Sequence, residues 1–253
     1  MDRRLDGTAA AITGAGAGMG RSTAELFAAH GADVTVVDVD GDAARETVDR
    51  ITSSGSPGEA IAVTADVTDG AAVEAFVDRT VEAFGGIDVL HNNAGIPMRS
   101  TPVAEVTEET WDRVLEVNLK SAFLGAKHAV PRMREQGSGV ILNTASTAGI
   151  RPRTGLSAYC ASKGGMITLT KQLAYELADD GIRVNAICPV ATDTEMLPQF
   201  TGEGLSIDDM RATIPLGRLA EPDDVAEAAL FLASDGASMV TGTALEVDGG
   251  RDI

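Results

Sequence analysis

Short runs of Val, Ile and Ala recur along the chain with helix-length segments between them, and this alternation constrains the fold more than any other feature. The runs cover residues 8–12, 33–38, 61–65, 89–92, 139–143, 183–187 and 244–247. Helical patterning fills the intervals at residues 19–29, 43–51, 71–84, 111–133, 159–177 and 224–233. The runs show little apolar–polar alternation, as expected of strands buried on both faces. Strand–helix repetition of this kind gives a parallel sheet covered by helices on both sides. The prediction is a single α/β domain over residues 1–253, a doubly wound seven-stranded parallel sheet. No linker divides it, and the cluster at residues 53–58 reads as a surface turn. Residues 190–213, with Pro198, Gly202 and Gly204, fit the alternation poorly and read as a mobile insertion.

The first run ends in Thr13-Gly14-Ala15-Gly16-Ala17-Gly18-Met19-Gly20, which also opens the first helix. Gly-x-Gly-x-x-Gly does not fit; Gly-x-x-x-Gly-x-Gly does, through Gly14, Gly18 and Gly20. Residues without Cβ let backbone approach a pyrophosphate, and a helix start at Met19 and Gly20 offers free N–H groups and a positive dipole end. Such a turn alone is a weak signal; its place between strand and helix strengthens it. Asp38 ends the second run, twenty residues beyond Gly18. A carboxylate there accepts hydrogen bonds from ribose hydroxyls and repels a 2′-phosphate by about 3 kcal/mol at an effective dielectric near ~20. No Arg or Lys occupies residues 15–17 or 39 to compensate, so NAD is expected over NADP.

Tyr159 and Lys163 stand four residues apart in a predicted helix, one turn apart on one face. A fixed ammonium beside a phenol lowers the phenol's pKa from roughly 10 toward neutrality. The pair alone also arises by chance on solvated helix faces. Composition removes several alternatives. The net charge of −18 argues against a nucleic-acid partner. No apolar run is long enough to span a bilayer, and the start lacks the apolar segment of a secretory leader. Two cysteines without metal-ligand spacing and three scattered histidines point to a metal-free, reduced, cytoplasmic protein. An acidic chain with only four lysines fits either a high-salt cytoplasm or a GC-rich genome.

Together these residues resemble the short-chain dehydrogenase/reductase family over essentially the whole chain. The resemblance rests on Thr13-Gly14-x-x-x-Gly18-x-Gly20, Asp66-Val67, Asn92-Asn93-Ala94-Gly95, Asn118, Ser146, Tyr159-x-x-x-Lys163 and Asp248-Gly249-Gly250. It implies a Rossmann-like fold and a NAD-dependent oxidoreductase with Tyr159 as general acid/base. By the same resemblance Lys163 tunes Tyr159 and holds the nicotinamide ribose. Ser146, thirteen residues before Tyr159, bonds the substrate oxygen. Asn118 holds a water that links Lys163 to solvent. Asp66 and Val67 meet the adenine, and Asn92 and Ala94 meet the adenosine and ribose, although an asparagine pair there equally serves strand ends. Pro189, Thr192 and Thr194 meet the nicotinamide end. The family usually has Gly where this chain has Val190, which leaves the conformation of that loop open. Cys160, His91 and Trp111 read as packing residues.

Substrate choice is expected from residues 96–102, 148–156 and 191–213, the last with Met196, Leu197, Phe200, Leu205 and Met210 as a lid-like apolar set. Arg151 and Arg153 are either solvated loop charges or ligands for a substrate anion. The expected substrate is a small or medium secondary alcohol, cyclic ones included, or its ketone. Two other readings stand beside it: a 3-oxoacyl-thioester reductase, disfavoured by Asp38, and a dinucleotide sensor without turnover, disfavoured by the complete Asn118, Ser146, Tyr159 and Lys163 set. The resemblance implies a homotetramer built on the Gln172-region helix and the C-terminal strand.

Overall fold

A computed structural model describes residues 4–200 and 206–253. All seven predicted strands form. They are β1 (Ala9–Thr13), β2 (Asp33–Asp38), β3 (Ala60–Thr64), β4 (Val89–Asn92), β5 (Gly139–Thr144), β6 (Ile182–Pro189) and β7 (Ala244–Val247). They pair in parallel throughout, in the order β3-β2-β1-β4-β5-β6-β7. Every residue of β1 and β5 is buried, so the missing polar alternation has its physical cause. Adjacent residues still separate by face. Ala10, Ile12, Val34, Val36 and Leu142 pack in one apolar cluster with α1 (Gly18–Ala29) and α8 (Pro222–Ala233). Ala11, Val37, Leu90 and Ile141 pack in another, with α3 (Gly70–Phe84), α5 (Ser121–Gln136) and the C-terminal half of α6 (Ser157–Glu176).

Local sequence sets the helix ends. Asp40 caps α2 (Gly41–Ser53), accepting from the amides of Asp42 and Ala43 at 2.9 and 3.2 Å. Asp69 does the same for α3. The start of α1 differs: Ala17 at its N-cap offers no side-chain acceptor. That helix end lies where strand order reverses about β1 and β4, the place at which crevices open in doubly wound sheets.

Two expectations change. The helix predicted over residues 111–133 is α4 (Glu108–Leu115), a π-helical segment (Glu116–Lys120) and α5. Within it the Ser121 amide reaches back to the Glu116 carbonyl, one residue further than in an α-helix. The segment read as a mobile insertion carries regular structure in its described parts. It holds a 3-10 turn (Leu197–Phe200) and α7 (Ile207–Ala212), the latter closed by a capping box between Ser206 and Asp209. Val190, Leu197, Met210, Ile214, Leu219 and Ala220 form its own apolar cluster. Gly202, Gly204 and Leu205 lie outside the described residues.

Candidate active site

The carboxyl ends of β1, β4, β5 and β6 open on one crevice. On its β1 side the chain turns at Gly14 with φ +63°, and a Cβ there would sit 2.8 Å from Ala94 Cα. A Cβ on Gly20 would collide with the Gly14 carbonyl oxygen. The turn is clamped from β4. Asn93 Nδ2 donates to the carbonyls of Thr13 and Gly14 at 3.0 and 3.2 Å. The Asn93 and Ala94 amides donate to Thr13 Oγ1 at 3.0 and 3.1 Å. A cradle that a Cβ would fill, facing an uncapped helix end, fits a pyrophosphate.

Asp38 stands at the rim. Its Oδ2 accepts from the Gly16 amide at 2.8 Å and its Oδ1 from the Asp40 amide at 3.0 Å. The neighbouring cation, Arg21, is tied to Glu46 at 3.0 Å, to Thr47 Oγ1 at 3.1 Å and to the Gly16 carbonyl. Asp66 follows β3 with Oδ1 bound by the Thr68 amide and hydroxyl at 2.9 and 2.7 Å, bonds that hold its pKa below the usual carboxylate range. Val67 is half-buried beside it.

Asn92 requires a correction. Its side chain is buried away from the crevice and donates to Asn143 Oδ1 at 2.9 Å, while Asn143 donates to Thr170 Oγ1 at 2.9 Å. Successive side chains at a strand end point to opposite sides. The second asparagine, Asn93, is therefore the one that lines the crevice. Asn118 is held beside the loop after β4. Its Oδ1 accepts from the Ile96 amide at 2.7 Å and its Nδ2 donates to the Ile96 carbonyl at 3.0 Å. The side chain pins the loop after β4, where Gly95 lies close to both Asn118 Oδ1 and Lys163 Nζ.

Ser146, Tyr159 and Lys163 converge. Ser146 caps the 3-10 turn Thr147–Gly149, its Oγ accepting from the Ala148 amide at 3.1 Å. Tyr159 and Lys163 stand one turn apart on α6, with Nζ 5.8 Å from the ring centroid. Nζ donates to the Thr144 carbonyl at 2.6 Å. Phe200 meets the Tyr159 ring edge-on at 5.0 Å between centroids. Desolvation dominates the electrostatics. Burial pushes the Tyr159 phenol up to about 12, against a hydrogen bond with Ser146 that pulls it down. Burial pushes the Lys163 ammonium down to about 8. The shift is opposite in direction to the lowering expected from the sequence, and its cause is desolvation of the phenol; Nζ is bonded to Thr144.

Behind these groups lies a relay that sequence reading missed. Thr144 Oγ1 donates to Asn93 Oδ1 at 3.2 Å and so accepts from His91 Nε2 at 2.9 Å. His91 is fully buried, its pKa driven down to about 3, so it is a neutral donor with Nδ1 unpartnered. The relay joins the glycine turn to the strand that holds Lys163.

The β6 side is closed by Pro189, Val190 and the residues after them. Val190 is buried in the α7 cluster, and no non-glycine residue among those described has positive φ. The position therefore needs no glycine here. Thr192 Oγ1 donates to the Val190 carbonyl at 3.0 Å. Thr194 reaches over the turn, its Cγ2 being 3.3 Å from where a Gly18 Cβ would stand. Met19, Thr192 and Thr194 line a cavity of about 350 Å³ together with Ser146, Tyr159 and Lys163. Arg153 lines it too, paired with Asp252, whereas Arg151 is exposed. Cys160 accepts from the Arg153 amide at 3.3 Å and packs.

Known proteins share this architecture. The family described as Enoyl-(Acyl carrier protein) reductase matches residues 14–252. A 4-formylbenzenesulfonate dehydrogenase of Comamonas testosteroni is 42% identical over 98% of this chain and 99% of its own. D-threitol dehydrogenase of Mycolicibacterium smegmatis is 40% identical over 100% of this chain and 96% of its own. The crystal structure of a 3-ketoacyl-(acyl-carrier-protein) reductase from Brucella melitensis, complexed with NADH, superposes with a TM-score of 0.92. It is 44% identical and covers 98% of this chain and 100% of its own. Likeness this extensive, over a sheet order and a crevice already fixed by the residues themselves, makes this chain an oxidoreductase of the short-chain dehydrogenase/reductase family.

Proposed function

We propose that the protein interconverts a secondary alcohol and its ketone with NAD(H), as a homotetramer. The observation that carries this is the meeting of Ser146, Tyr159 and Lys163 with the glycine turn in one crevice whose rim holds Asp38. Gly14, Gly18, Met19 and Gly20 would hold the pyrophosphate, Asp38 the adenosine ribose, and Thr192 and Thr194 the carboxamide end. When bound, the nicotinamide supplies the centre that accepts or returns hydride. The chain's own residues handle the proton. Tyr159 carries it on the phenolic oxygen and gives it to the substrate oxygen in reduction. Ser146 donates to that same oxygen and stabilises the charge it develops. Lys163, held by Thr144, orients the ribose and supplies the positive field beside Tyr159. Asn118 acts as a positioning residue through Ile96. The apolar lid of Met196, Leu197, Phe200 and Met210 excludes water from the transfer.

A 3-oxoacyl-thioester reductase is the second reading, favoured by the likeness to the Brucella enzyme. Because that enzyme is itself complexed with NADH, the cofactor does not separate the two, and turnover of free alcohols and ketones against a 3-oxoacyl thioester does. Asp38 against a 2′-phosphate predicts NAD tighter than NADP by ~100-fold. Thermal-shift titration with both dinucleotides measures this, and equal shifts refute the preference. Screening alcohols and ketones by NADH absorbance then tests turnover. Tyr159→Phe should cut kcat by about 10²- to 10⁴-fold. Ser146→Ala should cut it by about 10²-fold or more. A loss of only about twofold in either variant removes that residue from the chemistry.

A further inference from the structure

The lining of the cavity over Tyr159 and Ser146 includes two cations. Arg153 and Arg251 both line it, together with apolar side chains that include Leu156, Met196 and Phe200. Arg153 is fixed in place. Its Nη2 donates to both carboxylate oxygens of Asp252, at 2.9 and 3.2 Å, and the Asp252 side chain is 3% exposed. Asp252 is itself anchored, its amide donating to Asp248 Oδ2 at 2.8 Å. The Gly250 amide takes Asp248 Oδ1 at 2.9 Å. These bonds fold the C-terminal residues against the cavity and present Arg251 to it. The carboxylate on the lining, Asp209, has Oδ2 committed to the amide and hydroxyl of Ser206.

Arg251 stands apart from all of these. Among the described residues its guanidinium has no hydrogen-bonded or ion-paired partner, although the residue is half-buried. Burial holds its pKa below the usual arginine range, and the like charge of Arg153 adds to that, against the pull of Asp252 and Asp248. A half-buried cation with its donors unfilled is open to a bound oxyanion, and no Arg251 nitrogen is sealed from solvent. A guanidinium offers a planar fork of donors that matches two oxygens of one oxyacid group. Sequence reading found Arg153 as a candidate for a substrate anion but passed over Arg251, which only the folded C-terminus brings to the crevice.

We propose that Arg251, backed by Arg153, binds a carboxylate or sulfonate on the substrate. The preferred substrate is then an alcohol or ketone that carries such a group across an apolar spacer from the reacting carbon. The inference rests on the oxidoreductase reading above, and it makes Arg251 a specificity-determining residue and Asp252 a positioning one. Relatives of this chain include a dehydrogenase of a sulfonate-bearing compound and one of the uncharged threitol, so the cavity and not family membership carries this inference.

Calorimetric titration of the full chain, with and without NADH, tests it with benzenesulfonate and its uncharged counterpart methyl phenyl sulfone. The sulfonate should bind about tenfold tighter or better, Arg251→Gln should erase that preference, and Arg251→Lys should keep part of it. Equal binding of the two probes to the unaltered protein, or a preference that survives Arg251→Gln, overturns the proposal. A kinetic arm uses 4-acetylbenzoate and its methyl ester with NADH. Arg251→Gln should raise the KM of the acid relative to that of the ester by about tenfold. An unmoved KM ratio with kcat lowered on both ketones marks a structural role and also overturns it. If neither ketone is turned over by the unaltered protein, the proposed reaction fails, while the calorimetric pair still decides the anion site.

Discussion

Tyr159 is held as a neutral phenol, and its proton is the clearest handle on the site. The chain has two tyrosines, so Tyr175→Phe leaves Tyr159 as the sole reporter. Tyr175 is 88% exposed, and its replacement disturbs no core. The near-ultraviolet phenolate absorbance of that variant should titrate near about 12. A midpoint at or below the roughly 10 of a free tyrosine overturns the dominance of burial over the lysine field. Lys163 gives a second, opposite signature. Its folded pKa, about 8, lies below the 10.5 of the unfolded chain, so the charged form is disfavoured in the native state by about 3 kcal/mol. That cost is present in full below about pH 8 and fades as pH rises toward about 10.5, where the unfolded chain still binds a proton that the native one has released. Lys163→Met removes it, less about 1 kcal/mol for the lost bond to Thr144. The variant should therefore be inactive yet more stable in urea near about pH 7, with the advantage shrinking through about pH 8 to 10.5. A destabilised variant at neutral pH contradicts this. Motif spacing located both residues, but spacing carries no information about desolvation, so the direction of the tyrosine shift was not legible before the fold buried the ring.

Between residues and fold, the turn from β1 into α1 is the element on which cofactor binding depends. Gly20→Ala drives a Cβ into the Gly14 carbonyl and to 2.6 Å from Asn93 Nδ2. The clamp from Asn93 must then open, at a cost of about 1–3 kcal/mol in stability. Dinucleotide affinity should fall by about tenfold or more, read by calorimetry with NADH. Gly70→Ala, at the start of α3 with its nearest neighbour 3.7 Å away, is the matched control and should leave both quantities within error. Equal affinity in the Gly20 variant removes the turn from the binding site. All seven strands were legible because each is a run of apolar residues bounded by breakers, with ends matched to within two residues. What the pattern could not disclose follows from physical degeneracies. A π segment keeps the apolar spacing of an α-helix to within one residue, so the break at residues 116–120 leaves no mark on residues 111–133. Two adjacent asparagines are equivalent in sequence until a strand end assigns them to opposite faces, and here Asn93 took the crevice and Asn92 the core. The His91–Thr144–Asn93 relay joins three separate stretches of chain and has no local signature at all.

At the scale of the whole molecule, the acidic surface and the exposed apolar groups pull association in opposite directions. A net charge of −18 makes like subunits repel. Yet the sheet ends at β7, an edge whose residues remain partly exposed. Beside it Phe231 is 41% and Met239 95% exposed. On another face, Leu115, Leu119, Phe123 and Leu169 of α4, the π segment, α5 and α6 line a shallow surface cavity, with Phe123 51% exposed. An uncovered edge strand invites pairing, and two separate apolar faces suit an assembly with two kinds of two-fold contact rather than one. Dihedral tetramers meet that requirement. Light scattering should therefore give four chains per particle, and a mass near one chain overturns the assembly. Phe123→Asp places a charge in one of the two contacts and should halve the particle while the far-ultraviolet dichroism stays unchanged. Salt completes the argument. The Debye length falls from about 30 Å at 0.01 M to about 10 Å at 0.1 M, so added potassium chloride screens the repulsion between subunits without weakening apolar contact. The tetramer fraction and the melting temperature should rise together over that range. A melting temperature that falls with salt would mean that the attraction between subunits is ionic, and the apolar faces would then need another partner.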